Sequence, residues 1–225
     1  MGVTPRPYGA RVLQLLFPLA CACGHRAGPG TPLCDGCAAI VRAAVGARPP
    51  AGVDAWWSAF AYEGPAREVV ARAKYRGARA AVPWLAASLA AVLAEQAGPA
   101  LGAVDLVTWA PTTPEHRRAR GFDPAELLAR ALARRLGLRR AGLLARTPGP
   151  AQTGRPAAAR RTGPGFHPRA SVPPCVLVVD DVATTGATLS AAARALRAGG
   201  ARRVLAATAA RTPPPSRASG ARTRG

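Results

Sequence analysis

Apolar and polar positions follow each other along the carboxy-terminal part of the chain in blocks typical of strands and helices. Residues 176–179 form a continuous apolar run, which is typical of a parallel strand buried on both faces. A helical pattern follows to about Leu196 and ends at Gly199, and a second apolar run covers 204–209. This order predicts a βαβ unit with a short loop between the first strand and the helix.

The middle of the chain shows the same alternation of short apolar runs and amphipathic stretches. Asp123 suits the cap of one helix, because its side chain can accept hydrogen bonds from the first backbone amides of that helix. Alternating strands and helices predict an α/β fold with a parallel sheet. The pattern predicts strands over 53–62 and 104–109, and helices over 65–75, 82–97 and 124–136.

Four of the five cysteines lie close together near the amino terminus, at positions 21, 23, 34 and 37. Cys34 and Cys37 have the two-residue gap that lets two thiolates reach one tetrahedral zinc ion. Cys21 and Cys23 have a single residue between them, which is less favourable for chelation, and His25 is an alternative ligand. A segment this short cannot bury a core, so bound metal would have to stabilise it. We interpret it as a structural zinc module; surface thiols and a site that no longer binds metal are the alternatives.

The charge of the chain points to an anionic partner. There are 31 Lys and Arg against 11 Asp and Glu, which gives a formal net charge of +20, and Lys74 is the only lysine. Such a charge favours nucleic acid, a phosphorylated metabolite or a membrane surface as partner. The Ala-, Arg-, Gly- and Pro-rich composition that a GC-rich genome produces explains most of the charge equally well.

Composition also excludes several classes of protein. No run of eighteen apolar residues is present, so we expect no transmembrane helix. Five cysteines are too few for a disulfide scaffold. The apolar run over 12–20 matches a signal peptide poorly, because Gln14 and Pro18 interrupt it. We therefore expect a cytoplasmic protein in which this run packs on the cysteine module.

The strongest chemical signal follows the buried strand. Asp180 and Asp181 are the only carboxylates between Leu127 and Gly225. Two neighbouring like charges repel, and a Mg²⁺ ion with a polyhydroxy ligand would stabilise them. The loop that follows offers a glycine for close backbone approach, hydroxyl donors, and the amides that open the next helix, which together suit a phosphate. Its residues are Gly186, Thr184, Thr185 and Thr188.

Diol-binding acids beside a phosphate-binding loop fit a ribose 5-phosphate group. The segment lacks the Gly-Lys-Ser/Thr of a Walker loop and the three glycines of the dinucleotide fingerprint. Arg117, Arg118 and Arg120 lie in a Pro- and Arg-rich loop after the strand that ends at Trp109. Ligands of open α/β sheets bind at the carboxyl ends of strands, so this loop is a candidate anion clamp. On charge alone, a solvated basic loop is an equally good interpretation.

The segment VLVVDDVATTGATL resembles the binding signature for 5-phosphoribosyl 1-diphosphate (PRPP) of type I phosphoribosyltransferases. Over about residues 13–212 the chain resembles the ComF/GntX family, although Cys21-x-Cys23 stands where that family usually shows CxxC. The resemblance implies a parallel-sheet type I phosphoribosyltransferase fold preceded by a small cysteine-rich, zinc-ribbon-like module. The other supporting stretches are LLFP before Cys21, AKYRG at 73–77, RRARGFDPAELLAR at 117–130, QTGR at 152–155 followed by Arg160-Arg161, and TAART at 208–212.

The resemblance implies pentosyl transfer from PRPP with Mg²⁺. Asp180 and Asp181 would be the catalytic pair that holds the ribose hydroxyls, directly and through Mg²⁺. Thr112, Thr113 and Arg117 would approach the diphosphate, and residues 147–165 look like a mobile loop that closes over the site. The implied phosphate-binding residues are Ala183, Thr184, Thr185, Gly186, Ala187 and Thr188, and the implied zinc ligands are Cys21, Cys23, Cys34 and Cys37.

The same resemblance leaves a second function open. ComF relatives are implied to be non-enzymatic adaptors in DNA uptake or recombination, where the zinc module would contact a helicase-type partner. The positive charge suits DNA, but aromatic residues are not interleaved with the basic stretches. We expect three segments in either case: the cysteine module over 13–47, the transferase-like domain over 53–212 and a disordered tail over 213–225.

Overall fold

The computed structural model describes residues 20–21, 23–46, 48–74, 81–147 and 164–214. A four-stranded sheet, with the strand order β1-β6-β5-β2, forms its centre, and every pair of neighbours in it is parallel. A separate two-stranded antiparallel sheet, β3-β4, packs on one face of it. The strands are β1 (Ala55–Ala61), β2 (Leu106–Trp109), β3 (Leu144–Arg146), β4 (Phe166–Pro168), β5 (Cys175–Ala183) and β6 (Arg203–Arg211). The predicted α/β fold with a parallel sheet is confirmed.

Strand β5 lies in the interior of the sheet, with β2 on one side and β6 on the other. Its residues 176–179 are at most 1% exposed, as expected of a parallel strand covered on both faces. The sequence predicts that this strand ends at the acid pair, but it continues to Ala183. The reason is that β6 is also longer than predicted, so Val182 and Ala183 pair with Ala210 and Arg211.

Helices cover both faces of the sheet, and each face has its own apolar cluster. Leu89, Leu93 and Leu132 are fully buried on one face, and Leu189 and Leu196 on the other. Burying such a side chain stabilises the fold by roughly 1.5–3 kcal/mol. The helices are α1 (Asp35–Ile40), α2 (Gly64–Arg72), α3 (Val82–Gln96), α4 (Pro99–Gly102), α5 (Pro114–Arg120), α6 (Pro124–Leu136) and α7 (Ala187–Ala198).

Helices α3 and α6 lie where the sequence predicts them, and Asp123 caps α6 as expected, accepting hydrogen bonds from Ala125 N and Glu126 N. The prediction that the Pro- and Arg-rich segment is a loop throughout is wrong, since it contains α5. Thr113 caps this helix by accepting from His116 N, and Pro114 suits its first turn. Arg117, Arg118 and Arg120 are therefore helical residues.

Several sequence features lie outside the described residues. Most of the expected mobile loop is among them. Its first and last residues are described, and Thr147 N donates to Gly165 O at 2.9 Å. In the part of the chain that the structure describes, no helix has the length and apolar character to cross a bilayer. The features outside the description are the stretches at 15–18, 75–77, 152–155 and 160–161, positions 148–163 of the expected loop and 215–225 of the expected tail.

The cysteine segment is attached to the sheet through the outer edge of β1. Ala43 forms an antiparallel bridge with Phe60, and Ala61 N donates to Arg42 O at 3.0 Å. These contacts cover part of the unpaired edge of β1 with backbone from the preceding segment. The peptide that leads into β1 is held at its other end by Arg197, which donates to both carboxylate oxygens of Asp54 at 2.8 Å.

Gly199 ends α7 in close contact with neighbouring side chains. A Cβ atom at this position would lie 2.5 Å from Val172 Cγ2 and 2.9 Å from Pro168 Cβ. We expect Gly199→Ala to lower the free energy of unfolding by about 1–3 kcal/mol, because these neighbours have to move. Gly102→Ala is the control, since nothing lies within 4 Å of a Cβ there. Urea unfolding followed by circular dichroism measures both variants, and equal stabilities would contradict the prediction.

Candidate functional site

The acid pair lies in the carboxyl-terminal half of β5, and backbone amides donate to both carboxylates. Asp180 Oδ1 accepts from Asp181 N at 2.8 Å, and Asp181 Oδ1 accepts from Val182 N at 2.8 Å. Asp180 is buried, at 8% exposure, whereas Asp181 is partly exposed. The side chains of the two aspartates also interact with each other.

The carboxyl of Asp180 is difficult to ionise in the folded chain. Burial raises the pKa of Asp180 well above its ordinary value, and the neighbouring charge of Asp181 raises it further. The backbone hydrogen bond from Asp181 opposes this shift without cancelling it. A cation placed beside the pair would therefore stabilise the ionised form of Asp180, which burial and the charge of Asp181 disfavour.

Lys74 is a site residue that the sequence reasoning did not assign. Its ammonium nitrogen lies 3.2 Å from Asp181 Oδ2, just beyond the end of α2. A signal was present in the sequence, because this is the only lysine in a chain that otherwise uses arginine. Its position next to the acid pair depends on how α2 packs against the sheet, which no local pattern contains.

Two arginines also lie at this edge of the sheet. Arg146 ends β3, donates to Pro111 O at 3.3 Å and lies over the ring of Phe166. Burial lowers the pKa of Arg146, and the charges of Asp180, Asp123 and Glu115 oppose that shift. Arg211 ends β6, lies over the ring of Trp56 at 5.5 Å and is 6% exposed, and burial lowers its pKa.

The loop after β5 leads directly into α7. Gly186 stands at the helix start with φ +75°, a left-handed conformation that favours glycine. Thr185 Oγ1 accepts from Ala187 N at 3.3 Å, and Thr184 and Thr185 are exposed. The first amides of a helix have no partner within it and carry the positive end of its dipole. The predicted phosphate-binding residues 183–188 thus run from the end of β5 through a turn, exposed at Thr184 and Thr185, to the first amides of α7.

Position 186 also has no room for a side chain, because Pro50 lies close to it. A Cβ atom there would lie 2.7 Å from Pro50 Cγ and 3.0 Å from Pro50 Cβ. Pro50 belongs to the connector, residues 48–54, which joins the cysteine segment to β1. The same connector is bound by Arg197 of α7, whose Nε donates to Gly52 O at 3.0 Å. The turn that offers donors to a phosphate is therefore packed against the connector.

The loop after β2 reaches the same edge of the sheet. Ala110 N donates to Val179 O at 3.0 Å, which places the loop beside the acid pair. Thr112 N donates to Asp123 Oδ2 at 2.8 Å, so one buried carboxylate fixes both this loop and the start of α6. Burial raises the pKa of Asp123, and its three backbone hydrogen bonds oppose the rise.

Arg117, the predicted diphosphate contact, forms an ion pair within the protein. Its guanidinium lies 3.4 Å from Glu126 Oε2, and its side chain is 59% exposed. Arg118 similarly lies 3.8 Å from Glu115 Oε1. Exposed pairs of this kind contribute little stability and exchange readily for other partners. Arg117 can therefore turn to an incoming anion at small energetic cost.

The four clustered cysteines converge in space despite the irregular first pair. Their Sγ atoms all lie within 4.8 Å of one another, and Cys23 Sγ lies 3.5 Å from Cys34 Sγ. A tetrahedral zinc ion with sulfur ligands at about 2.3 Å needs sulfur atoms about 3.8 Å apart. A tight turn, in which Cys21 N donates to His25 O, brings Cys21 and Cys23 together. The cluster can hold a zinc ion, with His25 Nδ1 3.3 Å from Cys23 Sγ.

The thiols of this cluster differ in acidity. Burial raises the pKa of Cys21, but hydrogen bonds from the backbone amides of Cys23 and Cys34 prevail and bring it to about 6. Hydrogen bonds with the side chains of Cys23 and Cys21 raise the pKa of Cys37 to about 12. Without a cation the cluster holds one thiolate far more easily than several, and a zinc ion would favour the loss of the remaining protons.

The fold is an α/β domain with a parallel sheet and helices on both faces. Residues 124–220 match the phosphoribosyl transferase domain family. The chain thus carries a phosphoribosyltransferase domain, with a four-cysteine cluster in its amino-terminal region.

Among the solved structures similar to part of the chain is the crystal structure of orotate phosphoribosyltransferase from Aeropyrum pernix. The two share 22% identity over 63% of this chain, with a TM-score of 0.32. This chain spans 61% of the length of that protein. No curated protein matches the chain. The assignment of the domain therefore depends on the family match and on the parallel sheet.

Asp180→Asn tests the electrostatic cost of the acid pair. A carboxyl whose pKa is raised in the folded state destabilises the fold once pH exceeds the unfolded value of about 3.9, and increasingly as pH rises through the raised pKa. Without divalent cations, we expect the variant to be more stable than the wild type at pH 8, by about 2 °C or more in melting temperature. The difference should shrink toward pH 5.

The control for this measurement is Asp105→Asn, which removes one carboxylate at the opposite edge of the sheet, where Asp105 accepts from Cys175 N. Thermal unfolding of the three proteins at pH 5 and pH 8 provides the comparison. Parallel pH dependence of the wild type and Asp180→Asn would show that burial of Asp180 carries no such cost.

Proposed function

We propose that the chain binds PRPP together with Mg²⁺ at the carboxyl edge of its sheet and transfers the pentosyl group to an acceptor. One observation carries the proposal: the acid pair lies near the end of β5, and a short turn after that strand leads directly to the amino terminus of α7. A ribose 5-phosphate carries two vicinal hydroxyls, which suit the acids, and a phosphate, which suits the amides at the helix start. The match of residues 124–220 to phosphoribosyltransferase domains supports the same ligand.

In this proposal each part of the turn has one task. Asp180 and Asp181 accept hydrogen bonds from the ribose hydroxyls, and the backbone amides and hydroxyls of residues 183–188 bind the 5-phosphate. Thr112, Thr113 and Arg117 lie beside the diphosphate, where the exposed pair of Arg117 with Glu126 leaves the guanidinium available. These roles follow the placement of the residues at one edge of the sheet.

The carboxylates fit Mg²⁺, because this ion prefers oxygen ligands and binds through one or two carboxylates together with substrate phosphates. When bound, it would supply charge neutralisation at the diphosphate. The bond between C1 and the diphosphate oxygen breaks, the diphosphate leaves with the electron pair, and the acceptor forms the new bond to C1. The protein orients the reactants, neutralises charge and excludes water, so no nucleophilic side chain is required.

We further propose that Cys21, Cys23, Cys34 and Cys37 hold a structural zinc ion and that the chain is a ComF/GntX-type protein. The convergence of the four thiols and the order of a cysteine segment before the transferase domain support this. The proposed segments remain 13–47 for the cysteine module, 53–212 for the transferase-like domain and 213–225 for the tail. A location in the cytoplasm belongs to the same proposal.

A non-enzymatic adaptor that works with DNA and a helicase-type partner is the second candidate. One observation favours it: the outer side of α6 and the turn after it present several exposed arginines. A basic surface of this kind binds the phosphate backbone without reading sequence. The arginines are Arg130, Arg134, Arg139 and Arg140.

Calorimetric titration with PRPP tests the proposed site. We expect binding by the wild type that requires Mg²⁺, and at least about tenfold weaker binding by Asp181→Asn, since a charged hydrogen-bond acceptor is lost. Asp105→Asn removes the same charge at the opposite edge of the sheet and should bind as the wild type does. Failure of the wild type to bind PRPP at millimolar concentration would refute the assignment.

Release of diphosphate then separates the enzyme from the adaptor. Labelled PRPP is incubated with the wild type and a panel of bases and amines, and Asp181→Asn serves as the inactive reference. The adaptor would be favoured if the wild type binds PRPP without releasing diphosphate and also binds DNA with an affinity that falls steeply as the salt concentration rises.

Elemental analysis tests the zinc proposal. We expect the purified wild type to contain one zinc ion per chain, and Cys37→Ser to lose it together with thermal stability, because three thiolates bind the ion less tightly than four. Cys175→Ser is the matched control, since this buried cysteine begins β5 outside the cluster, and it should retain the metal. Retention of zinc by Cys37→Ser would remove Cys37 from the ligand set.

A further inference from the structure

Lys74 is fixed at the end of α2 with its side chain directed to the acid pair. Lys74 N donates to Ala71 O at 3.2 Å, which continues the helical turn beyond Arg72. The ammonium lies 3.2 Å from Asp181 Oδ2, with the two side chains 28% and 21% exposed. This partly buried ion pair joins the end of α2 to β5. It occupies Asp181, one of the two acids proposed to bind the ligand.

Lys74 contacts the carboxylate oxygen of Asp181 that does not accept from the backbone. Oδ1 of this carboxylate accepts the backbone amide of Val182, and Oδ2 faces the ammonium. A metal ion or a sugar hydroxyl that approaches Oδ2 therefore meets a position already taken by a cation. Binding there requires the ammonium to leave, and it leaves at lower cost when a new anion is present to receive it.

The choice of lysine fits such an exchange. The other basic residues of the chain are arginines, so composition alone would place arginine at this position. A guanidinium grips a carboxylate through two parallel hydrogen bonds, whereas an ammonium is a single point charge on a flexible stem. Lysine is therefore better suited than arginine to a position where the cation has to release its carboxylate when the ligand binds.

We propose that Lys74 is a tethered cation that occupies Asp181 while the site is empty and moves to the diphosphate when the metal and the sugar diphosphate enter together. The proposal rests on the proposed function, since it assigns to Lys74 a ligand-binding role in that site. It predicts that a divalent cation alone competes with the ammonium and binds weakly, whereas the cation together with PRPP binds well. Loss of the ammonium should therefore shift the two affinities in opposite directions.

The first arm of the test uses Mn²⁺ alone, with free Mn²⁺ measured by electron paramagnetic resonance on the zinc-loaded full chain. We expect Lys74→Met to bind Mn²⁺ about tenfold more tightly than the wild type, because the competing ammonium is gone. Adding Asp181→Asn to Lys74→Met should abolish this gain, which locates the ion at the acid pair. Arg67→Met removes one positive charge from the exposed side of the same helix and should leave the Mn²⁺ affinity as it is.

The second arm uses PRPP with Mg²⁺. We expect Lys74→Met to bind PRPP about tenfold more weakly, because the diphosphate loses its ammonium partner. Lys74→Arg keeps the charge but holds Asp181 through two hydrogen bonds, so it should also bind PRPP more weakly and should gain no Mn²⁺ affinity. Misfolding would weaken both ligands together and cannot produce opposite shifts.

The outcomes separate the two proposals. If the wild type binds PRPP but Lys74→Met binds Mn²⁺ no more tightly than the wild type, the inference about Lys74 is wrong and the proposed function stands. If Lys74→Met gains Mn²⁺ affinity but the wild type does not bind PRPP, the proposed function fails and only the competition at Asp181 is supported. If Lys74→Arg binds PRPP as well as the wild type, the exchange role specific to lysine is overturned.

Discussion

Burial of β5 between two parallel neighbours is the constraint on which the rest of the structure depends. The strand fills the middle of the sheet with side chains that are almost completely buried, so its register against β2 and β6 is fixed. That register determines where the polar residues after Val179 lie relative to the neighbouring strands. An acid pair at this point lies on a rigid element, while the donors of the next turn start a helix that is packed on the same strand.

Charge is distributed around this edge by elements that are distant in sequence. Asp180 and Asp181 come from β5, whereas Lys74 follows α2 and Arg146 ends β3. The acids would repel each other in isolation, and the surrounding cations partly offset the repulsion. The folded chain thus holds an electrostatic arrangement that an anionic ligand with a bound cation would balance more completely.

Local sequence predicted much of the fold and only part of the site. The apolar run of β5 and the capping of α6 by Asp123 need only neighbouring residues, and both were predicted correctly. Helix α5 was not predicted, because a short segment rich in proline and arginine is also typical of a loop, and the Thr113 cap is a weak signal by itself. Lys74 and Arg146 could not be assigned from sequence, since their nearness to the acid pair arises from packing between elements far apart in the chain.

The contact of Pro50 with Gly186 has a consequence for how the protein can be divided. The chain before β1 both shields the outer strand, through residues 42–44, and supports the turn at the start of α7. A truncated protein that begins at β1 would lose this support and expose a strand edge to self-association. The amino-terminal segment therefore stabilises the carboxy-terminal half through these contacts, and the two are best studied as one unit.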